Sequence, residues 1–162
     1  MREDEAHELL LMRAGSLLFA VYTEEVETVV PWSRPSPLPH APAAVLGVVP
    51  ARGRMRTVLD PVPLLRGMGR PSAVDEGRDA AAREAYGFVA CLRGDEQLAL
   101  AFESAERAHL GAGEPPGAGS PDDLPARGAF ERGGETVLLL DPAQLFAAAL
   151  RGTERRRPRR AR

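Results

Sequence analysis

The sequence predicts a mainly β protein, and two observations lead to that prediction. Short apolar runs rich in Val, Leu and Phe recur along the chain, and Gly, Pro, Asp or Arg-Gly turn signals bound them. Only Pro142–Leu150 (PAQLFAAAL) has the composition of a longer helix, with Asp141 as its N-cap and Pro142 at its first position. At 162 residues, the chain can form one domain or two small packed lobes.

The strand signals occur mostly in pairs, as expected for hairpins. We predict strands at Glu8–Arg13, Leu17–Tyr22, Ala44–Val49, Arg54–Asp60, Tyr86–Leu92, Gln97–Phe102 and Thr136–Leu140. A helical turn is predicted to begin at Thr23 as N-cap, with Glu24, Glu25 and Glu27 forming a solvated acidic face. Between Pro31 and Pro42 five prolines predict an extended surface connection, because proline cannot donate to a sheet ladder.

One internal similarity links the two halves of the chain. TVLDPVPLL (Thr57–Leu65) resembles TVLLLDPAQLF (Thr136–Phe146), since in both a strand ends in Asp-Pro and an apolar helical turn follows. Either the two halves share one plan, or Asp-Pro is a common way to end a strand and start a helix. From the sequence both explanations remain open.

The residues that catalysis or metal binding needs are not arranged for either task. His7, His40 and His109 have no Cys, Asp or Glu partner at metal-ligand spacing, and the single cysteine, Cys91, is predicted to be a buried thiol. Phosphate-binding loops, nucleophile elbows and zinc-binding helix motifs do not occur. We therefore expect no catalytic residue, no cofactor and no metal. An acidic N-terminus without an apolar signal region predicts a cytoplasmic protein.

Charge is distributed unevenly along the chain. The C-terminal arginine segment (residues 151–162, RGTERRRPRRAR) holds seven arginines and one glutamate, or +6, while the other residues carry −8. Such a segment could bind nucleic acid, but no aromatic side chain is present in it for base stacking. A disordered tail is the favoured interpretation, and a small-barrel protein that binds nucleic acid through this tail is the less favoured one.

Seven motifs in order resemble the CheW family of chemotaxis coupling proteins. They are ELLLMRAG, Phe19-Ala20-Val21, VETV, LPHAP, VLGVVPARG, TVLD and, more loosely, the run from YGFVACL through QLALAFESAERA to GETVLLLDPAQLF. The resemblance implies a domain over residues 8–150 with a polar tail at 1–7 and a lobe connection at about 67–84. It also implies two small five-stranded β-barrels that share an apolar core.

The function implied by the resemblance is that of a non-catalytic adaptor in chemotaxis-type signal transduction. Members of the family dock on the regulatory domain of the histidine kinase CheA and on the cytoplasmic tip of chemoreceptors. Where this chain departs from the family pattern, at Pro50-Ala51, Thr28, Arg54 and Arg56, a divergent module serving another kinase or output system becomes an alternative. Insertion into a membrane is not expected, and nucleic acid is an unlikely partner.

The expected partner-binding residues lie around the PARG turn. They are Arg52, Gly53, Val26, Thr28, Gly47, Arg54 and Arg56. If Arg54–Asp60 is a strand, Arg52, Arg54 and Arg56 project to one side and Met55, Thr57 and Leu59 to the other. Because a buried face cannot hold three unpaired guanidinium groups, we expect all three arginines to face solvent or a partner. Glu27, one position before the family's glutamate, is expected to point to the face opposite that of Thr28.

Overall fold

The computed structural model of the chain describes residues 7–65, 85–94, 96–110 and 125–154, with side chains as far as Leu150. The N-terminal tail, apart from its last residue, and the lobe connection expected at 67–84 lie outside these residues. So does the C-terminal arginine segment beyond Glu154.

Strands dominate the described residues. In chain order they are β1 (His7–Ala14), β2 (Leu17–Tyr22), β3 (Val26–Pro31), β4 (Val45–Ala51), β5 (Arg54–Leu59), β6 (Phe88–Leu92), β7 (Leu98–Phe102), β8 (Ser104–Leu110), β9 (Ala126–Arg132) and β10 (Glu135–Leu140). A 3-10 turn at Thr23–Glu25 joins β2 to β3. The helices are α1 (Pro61–Leu65) and α2 (Pro142–Glu154).

The strands form two five-stranded sheets, which confirms the predicted mainly β class. Sheet one has the order β8-β1-β2-β10-β9, and sheet two has the order β3-β6-β7-β5-β4. Neighbours are antiparallel except for β2 with β10 and β5 with β7. In the described part of the chain the two end strands of each sheet do not pair with each other. The sheets are therefore open, and the closed barrels that the resemblance implied are not formed.

The two halves of the chain share one plan and exchange their hairpins. Sheet one combines the β1–β2 hairpin with β8, β9 and β10, while sheet two combines the β6–β7 hairpin with β3, β4 and β5. The Asp-Pro similarity lies at equivalent places in this plan. Oδ1 of Asp60 accepts a hydrogen bond from the Val62 amide and Oδ1 of Asp141 one from the Ala143 amide, each at 3.1 Å. Each aspartate therefore ends a strand and caps a helix.

Both faces of β2, a central strand of sheet one, are buried. Leu18 and Ala20 belong to a hydrophobic cluster formed by residues of sheet one alone. Phe19 and Val21 belong to a larger cluster that both sheets share. This division follows from the strand geometry, because successive side chains point to opposite faces. Burial of a side chain such as Phe19 stabilises the fold by about 1.5–3 kcal/mol. The shared core therefore holds the two sheets together.

Several boundaries differ from the sequence predictions. The turn at Thr23–Glu25 forms, but its N-cap is Tyr22 rather than Thr23, and the chain then continues as a strand. Strand β3 was not predicted, because its residues were assigned to the helical turn. Strands β8 and β9 were not predicted either, because SAERAHL and ARGAFER contain few large apolar side chains. Helix α2 continues to Glu154, four residues beyond its predicted end.

Candidate docking surface

The PARG turn is the exposed tip of the β4–β5 hairpin. Arg52 and Gly53 have φ values of +53° and +76°, and Ala51 pairs with Arg54 across the turn. Positive φ at both central residues is typical of the type I′ turn, which matches the twist of a two-residue hairpin. Gly53 adopts this conformation without cost, whereas a side chain at Arg52 is strained there. The turn thus presents an arginine at a position that usually favours Gly or Asn.

Beyond the turn, two more side chains are exposed on the first residues of β5. Arg54 is exposed, and Met55 keeps 55% of its surface although it is a large apolar residue. The hairpin tip therefore extends past the core and combines positive charge with apolar surface. We call Arg52, Arg54 and Met55 the hairpin surface.

Arg56 is buried, so the expectation that it faces solvent or a partner is wrong. Its exposed fraction is 0%, and it is the largest fully buried side chain of the described residues. Arg54 and Arg56 share a side of β5 with Val58 by alternation, whereas Arg52 lies in the turn, outside both strands. That side is covered from Arg56 onward, where the cross-strand neighbour Val49 is also buried.

Glu27 supplies the charge that a buried guanidinium requires. Nη2 of Arg56 lies 2.9 Å from Oε2 of Glu27, and Nη1 donates a hydrogen bond of 3.4 Å to the carbonyl oxygen of Leu92. The Glu27 side chain remains 30% exposed, so the pair joins the core to the surface. Nε of Arg56 has no hydrogen-bond partner among the described residues. Glu27 is therefore half-buried, and part of its carboxylate side chain remains accessible from the surface.

A β-bulge explains how Glu27 reaches the side of the sheet on which Arg56 lies. Val26 pairs with Leu92 but Thr28 pairs with Cys91, so Glu27 is an extra residue in β3. The bulge shifts the alternation by one position. For this reason the expectation that Glu27 points away from the Thr28 face is wrong, and so is the solvated acidic face predicted for it.

The ion pair between Arg56 and Glu27 also spans two intervening strands of sheet two. Strands β6 and β7 lie between β3 and β5, so a flat sheet would hold β3 and β5 about 14 Å apart. Side chains on these strands meet at 2.9 Å because both extend over β6 and β7 on the same side of the sheet, and the natural twist and curl of a sheet bring them closer. The contact therefore connects β3, an end strand of the sheet, to the β4–β5 hairpin.

Positive charge surrounds Glu27. The contact with Arg56 lowers the pKa of the Glu27 carboxyl below its ordinary value, and the fields of Arg54 and Arg93 lower it further. Burial raises the pKa of the Cys91 thiol, whereas Arg56 and Arg52 lower it. Four arginines thus act on one glutamate and one thiol. This excess of positive charge suits a partner that carries carboxylates.

Strand β3 provides an apolar edge of sheet two, and its exposed valine lies on the face opposite to Arg56. It is an end strand of sheet two, with Val26 and Thr28 half-buried and Val29 exposed to 42%. Phe88 pairs with Pro31 on the same face, stacks on buried Phe102 at 5.5 Å and is itself 42% exposed. An end strand with exposed apolar side chains is a common docking edge.

Gly47 has a structural role in the hairpin. It is buried with a φ of +144°, and a Cβ at this position would lie 2.3 Å from the carbonyl oxygen of Ser36. Ser36 and Val48 exchange two backbone hydrogen bonds of 2.9 Å. The proline-rich connection therefore lies against the outer edge of β4 and covers it, and only glycine permits this close approach.

The 3-10 turn that leads from sheet one to sheet two is fixed by arginines from both sheets. Arg127 pairs with Glu25 and lies over the Tyr22 ring, 4.9 Å from its centroid. Arg93 donates from its backbone amide to Glu25 and from Nε to the carbonyl oxygen of Glu24. Burial raises the pKa of Glu25, while the contact with Arg127 opposes that rise. Glu25 is therefore an internal connector, and the solvated face predicted for it is wrong.

Two other kinds of feature are absent from the part of the chain that the structure describes. No group of three or more His, Cys, Asp and Glu side chains in that part of the chain could hold a metal ion. Nor does any helix there have the length and apolar composition needed to cross a bilayer.

Fold and surface together define a mainly β protein of two hairpin-exchanged sheets, with an exposed basic hairpin at one end of sheet two. The chain belongs to the family of CheW-like domains, since the model of that family matches residues 8–150. Over 53 residues it is 40% identical to the chemotaxis protein CheW of Rhizobium meliloti (strain 1021), a match that covers 33% of this chain and 34% of that relative.

A solved structure supports the fold over a longer range. The scaffolding protein TtCheW from Thermoanaerobacter tengcongensis matches with a TM-score of 0.66 at 15% identity, covering 88% of this chain and 93% of that one. At this identity the likeness concerns the fold alone. The family to which the chain belongs is one of chemotaxis scaffold or adaptor proteins.

Proposed function

We propose that the protein is a non-catalytic, cytoplasmic adaptor that couples chemoreceptors to a CheA-like histidine kinase. The observation that carries the proposal is the hairpin surface. Arg52 is exposed and has a strained backbone conformation. The ion pair between Arg56 and Glu27 fixes its hairpin to the sheet. Strain of this kind is retained mainly at functional sites. A planar guanidinium at a rigid tip can bind a partner carboxylate through two hydrogen bonds.

The proposed kinase contact joins two similar surfaces. Strand β3 offers an end-strand edge with exposed Val29, and Phe88 lies beside it. A regulatory domain of the same fold class could add its own strand or apolar edge there, and the arginines would set the orientation. Val26, Thr28 and Arg54 belong to this proposed interface. Gly47 and Arg56 support it from inside the sheet.

A divergent output system is the second candidate partner. The displacement of the acidic residue to Glu27 and the burial of Arg56 give this chain a docking surface of its own. The affinity for an ordinary chemoreceptor tip would then be lower than the affinity for this chain's own partner. Complementary charge suppresses wrong partners more than it raises affinity.

Calorimetry with the regulatory domain of a CheA-like kinase from the same organism tests the proposal. We expect Arg52→Glu to lower the affinity for one partner at least roughly tenfold, because losing a desolvated ion pair costs about 2–5 kcal/mol. Its melting temperature should stay close to that of the wild type, since Arg52 is exposed. Arg54→Glu is the matched control, with a smaller expected effect. No binding to any such kinase domain, or equal affinity for wild type and Arg52→Glu, would contradict the proposal.

A further inference from the structure

The arginines of the two sheets differ in how they are paired. Each arginine on the described strands of sheet one forms an ion pair with a carboxylate: Arg13 with Glu135, Arg107 with Glu8, Arg127 with Glu25 and Arg132 with Glu106. In sheet two only the buried Arg56 is paired in this way, with Glu27. Within the part of the chain that the structure describes, Arg52, Arg54 and Arg93 have no carboxylate partner. The exposed end of sheet two therefore carries positive charge that the described residues do not compensate.

Arg93 is not among the partner-binding residues expected from the sequence. It is exposed and lies one residue beyond the end of β6. Its backbone amide donates a hydrogen bond of 2.9 Å to the carbonyl oxygen of Glu25, and its Nε donates one of 3.0 Å to the carbonyl oxygen of Glu24. Its two terminal nitrogens, Nη1 and Nη2, make no hydrogen bond to any described residue. The guanidinium is therefore oriented by the 3-10 turn, while the donors that bind a carboxylate in pairs remain available.

Arg93 and the hairpin surface lie on the same side of sheet two. By strand alternation Arg93 lies on the side that Arg56 occupies. The residue before it is in direct contact with this arginine, because Nη1 of Arg56 donates to the carbonyl oxygen of Leu92 at 3.4 Å. Arg54 and Arg93 both lower the pKa of the Glu27 carboxyl, so both are close to it. Arg93 therefore extends the positive charge of the hairpin surface from β5 to the end of β6.

We propose that Arg93 is a second arginine that binds the docking partner, and that this partner presents an acidic segment with at least two carboxylates. The inference rests on the proposed function and adds a residue to its interface. One carboxylate would accept hydrogen bonds from Arg52, and another from Nη1 and Nη2 of Arg93 in the two-bond geometry that arginine favours. Binding costs less side-chain entropy at Arg93, because the bond from Nε already orients its guanidinium.

Calorimetry with the kinase regulatory domain at several salt concentrations tests the inference on the full chain. Arg93→Gln is compared with Arg107→Gln, which also removes an exposed arginine but lies in sheet one. We expect Arg93→Gln to lower the affinity about fivefold at low salt and to make it less dependent on salt, as the loss of a charge at the rim of an interface does. Arg107→Gln should bind as the wild type does. The melting temperature of Arg93→Gln should fall by at most about 3 °C, because the backbone bond to Glu25 remains.

A tetraglutamate peptide is a second probe that does not depend on the kinase. In NMR titrations of the ¹⁵N-labelled full chain, we expect weak binding that shifts the Nε–H signal of Arg93. Arg93→Gln should weaken this binding by a factor similar to that for the kinase domain, and Arg107→Gln should not. The peptide titration therefore tests the acidic-segment site even where the kinase domain does not bind.

Several results would overturn the inference. Equal affinities of wild type and Arg93→Gln for both probes would show that Arg93 only fixes the 3-10 turn. A lower affinity with unchanged salt dependence and a large fall in melting temperature would show the same. An equal loss in Arg107→Gln would indicate an effect of net charge alone. Weakening by Arg52→Glu but not by Arg93→Gln would remove this inference and leave the proposed function standing. Peptide binding that depends on Arg93, without any kinase binding, would keep the acidic-segment site and remove the proposed function.

Discussion

Arg56 and Glu27 form an ion pair across the concave side of sheet two, with the guanidinium fully buried and the carboxylate at the rim. The 2.9 Å contact joins β3 to β5, which do not pair as strands. Two requirements are met together. The buried charge receives a partner, and the β4–β5 hairpin is fixed to β3 on the far side of β6 and β7.

Removing only the Glu27 carboxylate should destabilise sheet two more than removing both charges of the Arg56–Glu27 pair. Glu27→Gln leaves the Arg56 guanidinium buried without its counter-charge, whereas Arg56→Met together with Glu27→Gln removes the requirement for one. We expect the melting temperature to fall in the single variant and to recover most of the loss in the double variant. Differential scanning calorimetry on the four members of this cycle measures the coupling.

Labelling of the Cys91 thiol provides a local measurement of stability for the same Glu27 and Arg56 variants. Cys91 is the only cysteine, it is buried beside the pair, and burial raises the pKa of its thiol. Labelling by a thiol reagent therefore requires opening of the lobe. Glu27→Gln should speed labelling on the order of tenfold at neutral pH. A double variant that labels as fast as Glu27→Gln would show that the buried charge is not the cause.

Acid should weaken the lobe through the same glutamate. The pKa of Glu27 is lowered in the folded protein from an ordinary value of 4.5, so the folded state favours the charged carboxylate. Its contribution to stability is present above pH 4.5 and is lost as the pH falls through the lowered folded value. Urea unfolding between neutral pH and pH 3 should therefore show a steeper acid loss in the wild type than in Glu27→Gln. Parallel curves for the two proteins would contradict this assignment.

Gly47 and Gly53 provide a matched pair of glycine substitutions in one hairpin. Both have positive φ, but a Cβ at Gly47 would meet the Ser36 carbonyl oxygen, while nothing lies within 4 Å of a Cβ at Gly53. Gly47→Ala should cost about 2–4 kcal/mol of unfolding free energy, because strain and a backbone clash add. Gly53→Ala should cost about 1–2 kcal/mol from backbone strain alone. Equal losses in urea titrations would mean that Ser36 moves away from the hairpin easily.

The sequence predicted most strands and the exposed turn but not the burial of Arg56. Alternation placed Arg54 and Arg56 on one side of β5 correctly, because the side-chain period of a strand is local. Whether that side of β5 faces water depends on which other parts of the fold cover it. The local sequence pattern does not encode this tertiary arrangement. The bulge at Glu27 is similarly set by pairing with β6. A lone acidic residue between the two valines of VETV was the one available signal of a partner for a buried arginine.

The strands that were missed have a different cause. In β8 the burial alternates only at Ala108 and Leu110, and the residues before them are exposed. Such a strand is held by the ladder to β1, in which seven residues pair in register, and hardly by its own apolar side chains. Sequence patterns detect burial more readily than backbone pairing. Edge strands of this kind are therefore easier to predict from the strand with which they pair than from their own residues.

The strained conformation of Arg52 predicts a conflict between stability and docking. Asn before Gly is the preferred pair in a type I′ turn, and Asn tolerates positive φ better than Arg does. Arg52→Asn keeps the turn, relieves strain and removes the guanidinium. We expect its melting temperature to rise by about 2–4 °C, which corresponds to a gain of about 1 kcal/mol, while affinity for the kinase regulatory domain falls at least roughly tenfold.

Arg54→Gln separates the two effects. It removes a neighbouring exposed charge from a residue that has no positive φ, so its melting temperature should match the wild type and its affinity should fall less. Calorimetric binding and thermal unfolding on the same three proteins make the comparison. If Arg52→Asn is more stable and binds every candidate partner as tightly as the wild type does, the strain at Arg52 has no docking role. An arginine kept at a position that costs stability, with no loss of binding when it is replaced, would leave the hairpin surface as a solvated edge.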